Sequence, residues 1–215
     1  MRSLKNKYDG IIFDLDGTLW DTRMPIAEAW NIILKRHPKI NRSPITVDEL
    51  NACMGLPMYD IAAKLFPAEK TEVRNALMDE LCSFENEYLC EVGGILYPDL
   101  EETLEELSER YPLFIVSNCQ DGYIESFLSA HFMSDFFKDT ECWGRTFLPK
   151  GESNKILMER NSLKKPVYIG DTDSDAQSAI DAGIDFIFAR YGFGEVAPDR
   201  RNDVIDSLPE LLAIL

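Results

Sequence analysis

Short apolar runs punctuate the chain at Gly10–Phe13, Leu113–Val116, Val167–Ile169 and Asp185–Ala189. Each is too brief for a helix and reads as a buried strand. Between them the spacing changes. Leu100, Leu104 and Leu107 recur at helical intervals, and Ile156-Leu157 leads to a basic end at Lys164-Lys165. Strands alternating with helices predict β-α units, hence an α/β parallel sheet with helices on both faces. The stretch from Pro25 to Cys90 differs. It reads as successive helices broken at His37-Pro38, Ser43-Pro44, Gly55-Leu56-Pro57 and Phe66-Pro67. Thr46 ahead of Asp48-Glu49 has the form of a helix N-cap with an acidic first turn. Val92-Gly93-Gly94 resets the chain, and the sheet resumes near Ile95. Residues 1–20 and 93–215 are therefore expected to form the α/β core. Residues 21–92 are expected to form a helical unit spliced in after the first strand.

Composition narrows the partners. A chain of 215 residues with 45% hydrophobic content has enough apolar material for a sizeable core. Its net charge of −16 argues against nucleic acid and anionic membranes, both of which need basic patches. No apolar run approaches a membrane span, and the charged stretch Met1 to Asp9 leads into no signal-type apolar region. Five scattered cysteines without a C-x-x-C pair suit reduced thiols and a cytoplasmic setting. A monomer or weak dimer is expected. The two histidines, His37 and His131, lack metal-site spacing.

Polar clusters sit where the apolar runs stop. The first run enters Asp14-Leu15-Asp16-Gly17-Thr18, and a regular strand would point Asp14 and Asp16 the same way. Two like charges held close need a cation or a shared proton, unless they are ordinary turn residues. The second run ends at Ser117-Asn118, which could equally cap the helix around Tyr123–Leu128. The third ends at Asp171, Asp173 and Asp175, where Thr172 would suit a cap. A calcium loop does not fit, because Ala176 stands where glycine is needed and the closing glutamate is absent. Lys150 stands at the start of a helix, with Lys155 as its rival. In open α/β sheets ligands bind beyond the carboxyl ends of strands. Carboxylates gathered there can hold Mg2+, a lysine, a hydroxyl and amides can bind phosphate, and one carboxylate remains to attack phosphorus.

In these motifs the chain resembles the haloacid dehalogenase superfamily. The likeness is to its helical-cap phosphohydrolases, the branch of phosphoglycolate phosphatases and β-phosphoglucomutases. Asp14-x-Asp16-Gly17-Thr18 matches the first motif, Ser117 the second, Lys150 the third, and Gly170-Asp171-x-x-x-Asp175 the fourth. The resemblance implies a Rossmann-like core with an inserted α-helical cap domain, and a Mg2+-dependent phosphatase acting on a small phosphorylated metabolite. It implies Asp14 as nucleophile, Asp16 as acid and base, and Thr18, Ser117, Asn118 and Lys150 around the phosphate. The metal ligands it implies are Asp14, Asp171 and the main-chain carbonyl of Asp16, with Asp175 orienting them or Lys150. Met54-Gly55-Leu56-Pro57 would be a cap loop facing the site or an ordinary helix-helix turn. Trp20 and Arg23 would line the mouth, or Trp20 would pack at the hinge. Cys119 is read as a buried, inert thiol. The same core motifs would serve a phosphosugar mutase, and a catalytically silent binding protein can share the fold.

Overall fold

A computed structural model describes residues 7–215; residues 1–6, which begin the charged N-terminal stretch, lie outside the described residues. The strands are β1 (Ile11–Phe13), β2 (Trp20–Asp21), β3 (Ile95–Leu96), β4 (Leu113–Ser117), β5 (Phe137–Cys142), β6 (Val167–Gly170), β7 (Asp185–Ala189) and β8 (Asp203–Ile205). The helices are α1 (Arg23–Leu34), α2 (Val47–Asn51), α3 (Met58–Leu65), α4 (Thr71–Val92), α5 (Leu100–Ser108), α6 (Tyr123–Ala130), α7 (Trp143–Thr146), α8 (Lys150–Arg160), α9 (Asp173–Ala182) and α10 (Leu211–Ile214).

Six strands form one parallel sheet in the order β5-β4-β1-β6-β7-β8. The central strand is apolar throughout because both its faces are covered. Ile11 and Phe13 join Ile115, Ile169 and the helix residues Leu104 and Phe127 on one face. Ile12 joins Phe114, Tyr168, Leu157 and Ala179 on the other. Phe13 pairs with Ile115 on one side and Ile169 on the other, so the ends of β4, β1 and β6 fall within two residues of one another. The chain leaves β1 toward β4 and β5, then returns to β6. That reversal opens a crevice at the carboxyl ends of the three strands.

Helices α1 to α4 lie between β2 and β3, which pair antiparallel as a two-stranded ribbon with Trp20 opposite Leu96. Trp20 is completely buried and meets Tyr123, Phe127 and His131 edge-on. This is core packing beneath the ribbon, and Trp20 does not line the mouth. A Cβ on Gly94 would lie 2.7 Å from the Trp20 ring, so only glycine lets the returning chain cross there. Thr46 caps α2 in a full capping box with Glu49. Helix α4 buries Leu77, Leu81, Glu85 and Leu89, one residue per turn, and packs on α1, α3 and α6.

Candidate active site

The first motif straddles the end of β1. Asp14 N–H still donates to Ile169 O at 2.8 Å, continuing the ladder. The chain then turns, with Gly17 at φ +80°. A Cβ at Gly17 would stand 2.1 Å from Asp171 Oδ2, so glycine is required both for the conformation and for the approach. Both aspartates face one cavity, but they have different hydrogen-bond partners. Asp14 is buried against Lys150. Asp16 Oδ1 accepts hydrogen bonds from Thr22 Oγ1 and Tyr123 OH, both at 2.7 Å.

Lys150 begins α8 and is itself buried. Its ammonium donates to Asp14 Oδ1 at 2.8 Å and to Asp175 Oδ1 at 2.7 Å. The rival Lys155 lies on the surface, paired with Glu152. Asp175 spends its second oxygen on the capping box of α9, accepting from Thr172 N–H and Oγ1. Burial lowers the affinity of Lys150 for its proton, but the two carboxylates outweigh it and hold the ammonium charged. Burial and the Asp175 charge raise Asp14 to about 7, against the pull of Lys150. Burial, then Asp175 and Asp14, push Asp171 well above the usual carboxylate range. Burial likewise raises Asp16, while its two hydroxyl donors favour the charged form.

Asp14, Asp171 and Asp175 each bring a carboxylate oxygen within 4.8 Å of the others. Such crowding calls for a cation beyond one lysine. The donors fit a hard divalent ion. Asp171 Oδ2 accepts from Phe193 N–H at 2.7 Å, but its Oδ1 is buried without a partner. Asp175 has both oxygens engaged, which leaves it holding Lys150 and the start of α9.

Ser117 closes β4 and is buried. Neither it nor Asn118 caps α6, whose N-cap is Gly122. The Asn118 side chain gives its amide to Gly55 O at 2.9 Å, so the expected phosphate contact cannot use that hydrogen bond. Thr18 is completely buried with its hydroxyl unpartnered, and it is not among the residues that line the cavity. Arg23 is bound to Asp21 and Asn51 and stacks on Phe193. Burial pushes the Cys119 thiol well above its ordinary value, which suits an inert group.

Above the strand ends lies a cavity with about 520 Å³ of non-atom space, its open mouth included. The loop from Met54 to Leu56 faces it. So do four residues, from both sides of the insert boundary, that sequence reasoning missed: Trp30, Glu85, Gln120 and Tyr123. Glu85 had a signal, being the one carboxyl on an apolar stripe that recurs every four residues. Burial raises it to about 8, although Trp30 Nε1 and Gln120 Nε2 donate to it.

The family model for haloacid dehalogenase-like hydrolases matches residues 11–189. The chain belongs to that family. It is an enzyme, a hydrolase of the phosphatase type. A phosphoglycolate phosphatase of Aliivibrio fischeri is 28% identical over 95% of each chain. One of Rhodobacter capsulatus is 27% identical over 93% of this chain and 89% of its own. In structure, a haloacid dehalogenase-like family hydrolase of Streptococcus pneumoniae superposes with a TM-score of 0.75 at 23% identity, covering 96% of this chain and 98% of its own. That likeness speaks to the parallel-sheet fold of the family. No helix among the described residues is long and apolar enough to cross a membrane.

Proposed function

We propose that the protein is a Mg2+-dependent phosphatase that hydrolyses a small phosphomonoester through an aspartyl-phosphate on Asp14, in a reducing cytoplasmic setting. The observation that carries this reading is the buried Lys150 clamp on Asp14 and Asp175, beside the unpartnered oxygen of Asp171. Lys150 takes one oxygen of Asp14, and no described residue donates to the other. That oxygen attacks phosphorus, the ester P–O bond breaks, and Asp16 protonates the departing alkoxide. Asp16 then takes a proton from water. The water oxygen attacks phosphorus, phosphate leaves, and the Asp14 carboxylate is restored. Tyr123 and Thr22 hold Asp16 by one oxygen, which orients the other for this exchange. The Ser117 hydroxyl, the Asn118 main-chain N–H and Lys150 bind phosphoryl oxygens. Mg2+ held by Asp14, Asp171 and the Asp16 carbonyl would offset the charge of the carboxylates and the phosphate. The helical insert acts as the cap that excludes water.

Phosphate release from p-nitrophenyl phosphate tests this. Turnover is expected to vanish in excess chelator and to return with Mg2+ but hardly with Ca2+, whose looser coordination misplaces in-line attack. Undiminished turnover after verified metal removal contradicts the reading.

The role of Asp16 has its own signature. Asp16→Ala should slow single-turnover alcohol release from an alkyl phosphate by about 10²–10⁴-fold, the usual contribution of a general acid. Release of p-nitrophenolate, which leaves without a proton, should fall much less. Equal losses for both would assign Asp16 to metal binding or structure instead.

A further inference from the structure

We propose that the cavity selects phosphomonoesters whose alcohol part carries no negative charge and offers hydroxyl donors, and that it rejects an alcohol part bearing a carboxylate. This rests on the phosphatase reading and names the substrate class within it.

The wall contributed by the insert is largely apolar, with Ile26, Trp30, Leu50, Met54, Met58 and Ile61 facing the space. Among the described lining residues the only cation is Lys150, and its ammonium is committed between Asp14 and Asp175. The remaining ionisable carboxyls of the wall, Asp16 and Glu85, are acids. A second carboxylate brought in by the substrate would shed its water with no side-chain cation of the wall free to pair with it.

The hydrogen-bonding inventory points the same way. The Trp30 indole N–H is given to Glu85. The Gln120 amide nitrogen serves Glu85 Oε1 at 3.1 Å and Asn86 Oδ1 at 2.9 Å. The Asn118 amide nitrogen serves Gly55 O, and the Tyr123 hydroxyl serves Asp16. These donors are spent within the protein. What is left over is an acceptor: Gln120, more than nine-tenths buried, has its Oε1 without a partner. An unpartnered acceptor beside donors already engaged matches a ligand that donates, as an alcohol does and a carboxylate does not.

The test is a matched pair, 2-phosphoglycolate against 2-hydroxyethyl phosphate, in which CH2OH replaces the carboxylate and little else changes. Both are assayed as substrates with Mg2+, and as competitors of p-nitrophenyl phosphate. Hydroxyethyl phosphate is expected to show the higher kcat/KM and the tighter competition, by about tenfold or more, the worth of one charged group left unpaired. Phosphoglycolate equal to or ahead of it in both assays overturns the inference while p-nitrophenyl phosphate turnover keeps the phosphatase reading standing. No turnover of any of the three overturns both. Met54→Lys, at a partly exposed position of the insert loop, places an ammonium in the wall. It is expected to shift the ratio toward phosphoglycolate by about fivefold or more. A ratio that does not move would overturn the electrostatic basis of the selection.

Discussion

Asp14→Asn should reduce turnover by at least about 10⁴-fold, the scale seen when a nucleophile is removed and only binding and charge stabilisation remain. The amide keeps the shape of the side chain, and its oxygen can still accept from Lys150, which now bonds Asp14 Oδ1 at 2.8 Å. The fold and phosphate binding should therefore survive. Single-turnover phosphate release, with an acid quench to trap acyl-phosphate, provides the measurement. Wild-type turnover in a sample shown by mass spectrometry to be free of deamidation would end the covalent mechanism.

Lys150→Met should cost about 3–5 kcal/mol of stability, because removing one partner of a buried ion pair leaves the other charges uncompensated. Here Asp14, Asp171 and Asp175 would be crowded together without their ammonium. The loss should depend on pH in a definite direction. A carboxyl whose folded pKa is raised contributes fully below its unfolded value, near 4, and the stability is lost as pH rises through the folded value. For Asp14 that folded value is already about 7 with Lys150 in place, and it must climb without it. The deficit of the variant should therefore be small near pH 5 and large near pH 8. Urea unfolding of both proteins at the two pH values, in chelator, measures it. A deficit that is flat with pH, or one larger in acid, would mean that the lysine does not neutralise this cluster.

The four central strands were legible because each is buried on both faces and so is written as an unbroken apolar run. Strands β5 and β8 were not. Both are sheet edges. Strand β5 reads Phe-Lys-Asp-Thr-Glu-Cys, with its polar side chains tied to Arg160 and Arg145, and β8 has only three residues. Edge strands need little apolar content, so the pattern that reveals central strands is absent from them. Asp14, Ser117 and Asp171 could be brought together from sequence because each follows such a run. The separate hydrogen-bond partners of Asp14 and Asp16 could not be read there, since the turn at Gly17 takes the chain off the strand's alternation directly after them. Thr22 and Tyr123 were invisible for a different reason. They meet at Asp16 from positions 101 residues apart, and nothing in their local sequence marks that encounter.

The ribbon of β2 and β3 brings the two crossings between sheet and insert side by side. A stretch of chain that leaves and re-enters at one place can lengthen, shorten or be replaced without shifting the register of the six-stranded sheet. Residues 23–92 contain none of the aspartates at the strand ends, nor Ser117 or Lys150. They do contain most of the apolar wall of the cavity. Under the proposed function, reactivity and selectivity would be carried by separable segments of one polypeptide. Inheritance can act on them independently: new substrates can be tried by altering the insert while the chemistry is passed on unchanged.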